Sequence, residues 1–220
     1  MTIYLLAATI THTKIMNQYL TEQEHAAKTL INSIYKEEHE FAEMKEKAES
    51  MKKHYEVLHW DFITAESSED FSDMQIQNKF IKMAQMRENL TKAKHEIDEF
   101  EKSILEKEKS ITTLSMSLLQ IAKQGISTIH RDLNSCPNGK SLESETLKNV
   151  IWQARNQGIH SEEGKPHKPV IDCFANLAND YGAEFDITVD LKNNKSKRII
   201  DLLGWNNYEN YKADMLSLLG

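Results

Sequence analysis

The sequence predicts an all-α protein: a long antiparallel helical hairpin, coiled-coil-like, followed by a compact helical bundle. Three observations predict it. Two long stretches carry apolar residues at alternating three- and four-residue spacing, the pattern of a coiled-coil seam. Only 7 glycines and 3 prolines occur in 220 residues, and Pro137, Pro166 and Pro169 all lie in the C-terminal half. Long segments therefore contain no strong helix breaker. Charged residues make up 28% of the chain, which suits helices with much of their circumference in water.

The N-terminal run Ile3 to Ile10 is too short to span a bilayer and follows no basic segment, so it predicts the start of a buried helix or a short strand rather than an anchor. No other segment is apolar enough for a membrane, and a cytoplasmic protein is expected. In the first seam, Leu20, Ala27, Ile34, Phe41, Ala48 and Tyr55 alternate with Leu30, Met44, Met51 and Leu58. Thr21 with Glu24 has capping-box spacing and marks a possible helix start. The His59 to Asp70 segment breaks the rhythm, and Ser72 with Gln75 places a new helix start near Asp73. The second seam runs through Met83, Leu90, Ile97, Ile104, Ile111 and Leu118, with partners such as Met86, Ala93 and Phe100 and an interruption at Lys107. Ser110, Thr112 and Thr113 predict a kink or a change of packing partner. Gly125 falls on the seam, where a close helix crossing can use it.

Residues 114–133 are more apolar and belong to a globular core. Cys136 to Gly139 is a turn. A helix follows over Leu142 to Gly158, then a loop from Ser161 to Pro169, a helix over Val170 to Tyr181 ended by Gly182, one short strand over Phe185 to Leu191, and terminal helices over Ser196 to Leu203 and Tyr208 to Leu219. The predicted division is 1–112 for the hairpin extension and 113–220 for the bundle.

The net charge of −7 argues against a nonspecific nucleic-acid coat protein, so any RNA contact must rest on a few local cations. Cys136 and Cys173 form no CxxC, and neither a disulfide framework nor a metal site is expected. No Gly-rich phosphate loop, HExxH or nucleophile elbow is present, and no cofactor is expected.

The segment that carries chemistry is Trp152 to His160. Arg155, Asn156 and His160 lie at the end of a predicted helix. Five residues of straight helix turn about 500°, leaving the two side chains roughly 140° apart. Convergence on one phosphate then needs a helix end near Gly158 that lets His160 turn back, or two copies of the motif across a two-fold axis. The plain alternatives are an Arg155 paired with a neighbouring Glu and a His160 bonding a terminal carbonyl. His130-Arg131-Asp132, His167 and the basic run Lys192, Lys195, Lys197 and Arg198 are weaker candidates, better explained as exposed helix or loop residues.

Arg155, Asn156 and His160, with four residues between Arg and His, resemble the signature of the HEPN superfamily (higher eukaryotes and prokaryotes nucleotide-binding). The resemblance covers roughly the last half of the chain, from Leu114 onward; the long hairpin lies outside it. It implies a helical bundle that dimerises to bring two motifs into one cleft. It also implies a metal-independent RNA endonuclease in a toxin or antiviral-defence setting, with a possible antitoxin or regulatory partner. Cleavage would use the 2′-hydroxyl as nucleophile and leave a 2′,3′-cyclic phosphate and a 5′-hydroxyl. The residue types suit that chemistry. Histidine transfers protons near neutrality, Arg presents a permanent fork of donors to phosphoryl oxygens, and Asn156 can orient the imidazole or contact the phosphate. The alternative is a noncatalytic coiled-coil interaction protein whose HEPN-like module only dimerises or binds nucleotide.

Overall fold

A computed structural model describes the backbone of residues 2–65 and 73–220 and the side chains of residues 18–64, 78 and 80–220. Among these residues the protein is all-α, with six helices and one two-stranded ribbon. Helix α1 spans Thr2–Ala65 and α2 spans Asp73–His130. The ribbon pairs β1 (Ser141–Leu142) antiparallel with β2 (Glu145–Thr146). Then come α3 (Leu147–His160), a 3₁₀ turn at Ser161–Glu163, α4 (Lys168–Tyr181), a second 3₁₀ turn at Ala183–Phe185, α5 (Ser196–Leu203) and α6 (Tyr208–Leu219). No helix among the described residues is long and apolar enough to cross a membrane.

The chain divides into two compact units, Met1–Lys36 with Ser110–Gly220, and Glu37–Lys109. In the second unit α1 and α2 run antiparallel. Ala48 and Leu90 are buried, and Met44, Met51, Met86, Ile97 and Phe100 are half-buried at the spacing the seam predicts. The helix outer faces stay wet. Lys107, the polar interruption, is accommodated by an ion pair with Glu40 at 2.6 Å, and Lys52 pairs with Glu101 at 2.9 Å. Such partly solvated pairs add only about 0–1 kcal/mol each, so the apolar seam holds the unit together.

The first unit draws in the start of α1, so the 1–112 hairpin extension expected from sequence does not coincide with a compact unit. Tyr19, Leu20, Ala27, Ile31 and Ile34 are all buried. The Tyr19 hydroxyl donates to the Ile121 carbonyl at 2.6 Å, and Lys28 lies 4.8 Å from the Tyr208 ring centre. Gly125 serves the close crossing expected of it, since a Cβ there would meet Tyr19 Cε1 at 2.8 Å. The core is closed by Trp205, fully buried, whose Nε1 donates to Asp214 at 2.8 Å and whose ring meets Tyr211 edge-on at 4.9 Å.

Several local expectations are corrected. Thr21 with Glu24 starts nothing, because α1 already runs from Thr2. Helix α2 begins at Asp73 as expected, with Ser72 outside the described residues. Helix α2 continues through Ser110 to Thr113, and there it passes from one compact unit to the other. Helix α3 starts at Leu147, not Leu142. The intervening residues are held elsewhere: buried Glu145 accepts from Asn149 at 2.7 Å and Asn176 at 2.8 Å, and Ser144 bonds Asp180. Phe185 to Leu191 forms no strand. Its alternation drops Phe185 and Ile187 into the core from an irregular segment, which Asp186 stabilises by accepting from the Thr188 amide and hydroxyl, each at 2.7 Å.

Candidate active site

The last two turns of α3 present the predicted residues. Leu147, Val150, Ile151, Ala154 and Gly158 face the interior, so the helix is anchored on its apolar side and leaves Arg155, Asn156 and His160 on the outer side. The helix does not end at Gly158. That residue stays helical and buried because α5 approaches closely: a Cβ would meet Ser196 Oγ at 2.6 Å, and the Asn194 amide donates to the Gly158 carbonyl at 3.0 Å. The expected break that would turn His160 back toward Arg155 is therefore absent.

Arg155 is half-buried and aimed at α2. Its Nε donates to Gln120 Oε1 at 2.6 Å and its Nη1 to Asn156 Oδ1 at 3.2 Å. Among the described residues it forms no ion pair, so the neighbouring-Glu explanation does not apply. Lys123 stands close by, 4.3 Å from the Trp152 ring centre. Burial, and then the nearby Arg155 charge, push its ammonium below the usual lysine range. A chain of net charge −7 thus carries a local positive spot whose guanidinium is held by neutral amides.

His160 ends α3. Its Nδ1 lies 2.8 Å from Glu163 Oε1. A carboxylate only accepts, so Nδ1 carries the proton, and Nε2 is the ring nitrogen left for other work. His160 and Asn156 line a cavity of about 140 Å³ together with Glu163, Lys165, His167 and Leu191. Arg155 is not among its lining residues. Asn156 connects the two features, with its amide oxygen on Arg155 and its place on the cavity wall. One chain therefore unites Asn156 and His160 and leaves Arg155 on the far side of Asn156.

Hydrogen bonds tie down the cavity wall on two further sides. The buried Gln157 side chain donates to the Asn193 carbonyl at 2.8 Å and accepts from the Lys195 amide at 3.0 Å, tying the 190–195 segment to α3. The His167 carbonyl accepts from Val170 and Ile171, opening α4. His167, a weaker candidate by sequence, owes its place on the cavity wall to that helix start. Glu163 is not part of the sequence motif, yet it stands three residues after His160, a spacing that pairs side chains where the chain stays helical. Of the other candidates, His130 Nε2 bonds the Leu218 carbonyl at 2.8 Å, and Asp132 caps the Ser135 amide, so both serve the fold. Lys197 pairs with Asp201 at 2.6 Å, while the Lys192 side chain runs beside Gly164. Among the described residues no group of three His, Cys, Asp or Glu is placed to hold a metal ion. No protein-family model, no curated protein and no solved structure matches the chain, so the chemistry of the site rests on its own side chains.

Proposed function

We infer that the protein is a metal-independent RNA endonuclease of the HEPN type, cleaving by 2′-hydroxyl attack and working as a homodimer in a toxin or antiviral-defence role. The observation that carries this reading is the pairing, on one helix, of a guanidinium that forms no ion pair among the described residues with an imidazole whose Nδ1 is held by a carboxylate. The imidazole supplies proton transfer and the guanidinium supplies charge stabilisation for the phosphorane-like transition state. Because Arg155 does not line the cavity that holds its own His160, a two-fold partner is the natural source of the guanidinium at each phosphate. The test is cleavage of labelled RNA in EDTA by wild type, Arg155→Ala and His160→Ala. Activity in the wild type that both variants lose supports the reading, and loss in neither variant removes it.

A second reading, a noncatalytic interaction protein, is favoured by the 37–109 unit. There Val57 and Trp60 on α1 and Phe80 and Ile81 on α2 stand more than half exposed, an apolar display of the kind that binds partners. A folded protein inert toward a broad set of RNAs favours this alternative.

A further inference from the structure

We propose that His167 is a second proton-transfer residue, and that His160 and His167 form a base–acid pair within one chain, acting on a single-stranded RNA phosphodiester seated in their shared cavity. This assignment rests on the ribonuclease reading above.

His160 and His167 both line the same cavity, and Lys165 lines it with them. They reach it from unrelated elements, His160 from the end of α3 and His167 from the residue that opens α4. Each backbone is held independently of the other. His160 is helical, and the His167 carbonyl accepts two amide hydrogens of the first α4 turn at 3.0 and 3.2 Å, with Pro166 and Pro169 flanking it.

The cavity size selects the ligand. About 140 Å³ is below the ~300 Å³ of a site that engulfs a whole small molecule. It accommodates one anionic group and its immediate substituents, not an enclosed nucleobase. Little base preference follows.

Roles divide by environment. Glu163 accepts the Nδ1 hydrogen of His160, which leaves the Nε2 lone pair as the ring's free acceptor, so His160 is the base. The balance is complete. The 2′-hydroxyl proton passes to His160 Nε2 as the 2′-oxygen bonds phosphorus, the P–O5′ bond breaks, and protonated His167 delivers its proton to the departing 5′-oxygen. The products are a 2′,3′-cyclic phosphate and a 5′-hydroxyl, with one proton exchanged through solvent to reset the pair. Lys165 offsets charge on the phosphate, and no metal or co-reactant is consumed.

The experiment compares full-length wild type, His160→Ala and His167→Ala on two substrates in EDTA: ordinary single-stranded RNA, and the same RNA with a bridging 5′-sulfur at the scissile bond. A thiolate leaves without protonation. His167→Ala should lose about 10²–10⁴-fold on ordinary RNA and recover to within about 10-fold of wild type on the sulfur substrate; His160→Ala should stay impaired on both. An unimpaired His167→Ala, or one equally impaired on both substrates, overturns the acid assignment while leaving the nuclease reading intact. A wild type inert on both substrates overturns the nuclease reading and the assignment together.

Discussion

His160 Nδ1 and Glu163 Oε1 stand 2.8 Å apart, and this contact decides which ring nitrogen is available for chemistry. The pair spans the junction between α3 and the 3₁₀ turn that follows. It exists because the chain continues to coil past His160 instead of departing into a loop.

Glu163→Gln keeps an acceptor for Nδ1–H but removes the charge that steadies a protonated imidazole. A fall in kcat of about 10–100-fold is expected, less than the roughly 10²–10⁴-fold that a whole acid–base group contributes, with KM little changed. Single-turnover cleavage of labelled RNA measures it, and a kcat equal to wild type sinks the positioning role.

Arg155→Lys keeps the charge and loses the fork. An ammonium does not reproduce the geometry that serves Gln120 and Asn156 together. Cleavage should fall about 10²-fold or more, as when one transition-state donor is removed, while stability changes by only about 1 kcal/mol. Thermal unfolding alongside the rate assay separates the two effects. Full activity in the Lys variant would show that charge alone suffices.

Gly158→Val places branched carbons where α5 already sits, with Ser196 Oγ 2.6 Å from even the first added carbon. Overpacking of this kind costs about 1–3 kcal/mol, or a Tm decrease of roughly 5 °C for a chain of this size. Gly204→Val, where nothing lies within 4 Å of the added Cβ but φ is +72°, loses stability through backbone strain alone. Calorimetry of both variants, with RNA cleavage measured on each, tests whether only the Gly158 change also disturbs the cavity.

Stability should decline in alkali. Burial pushes the Cys136 thiol from its usual 9.0 up to about 11 and the Tyr19 phenol from 10.0 up to about 12. The unfolded chain therefore ionises first. The contribution of each group is fully present below its ordinary value and is lost as pH climbs toward the raised one. The urea midpoint should drop between pH 9 and 11, and Cys136→Ala should flatten the early part of that drop. An unchanged midpoint over this window contradicts the burial of both groups.

Much of the architecture was legible because it is written in local period and punctuation. The spacing of Ala48, Leu90 and Phe100 defines a seam whatever lies beyond it, Gly125 marks a close crossing, and α5 and α6 occupy the predicted Ser196–Leu203 and Tyr208–Leu219. Arg155, Asn156 and His160 were legible as a motif, but not where each one is aimed. The start of α3 was misplaced because Glu145 and Ser144 take partners on α4, more than thirty residues away in sequence, and no local pattern encodes that competition.

The sequence by itself determined an all-α chain with a paired apolar seam, reduced cysteines in place of any CxxC, and a basic–imidazole motif at a helix end, because each depends on residues a few positions apart. Only the tertiary structure decided that Arg155 is drawn to Gln120, that Met1–Lys36 joins the C-terminal unit, and that His160 shares a cavity with His167 and Leu191. The physical reason is common to all three: side-chain direction and cavity walls are set by elements that meet only after the chain has folded.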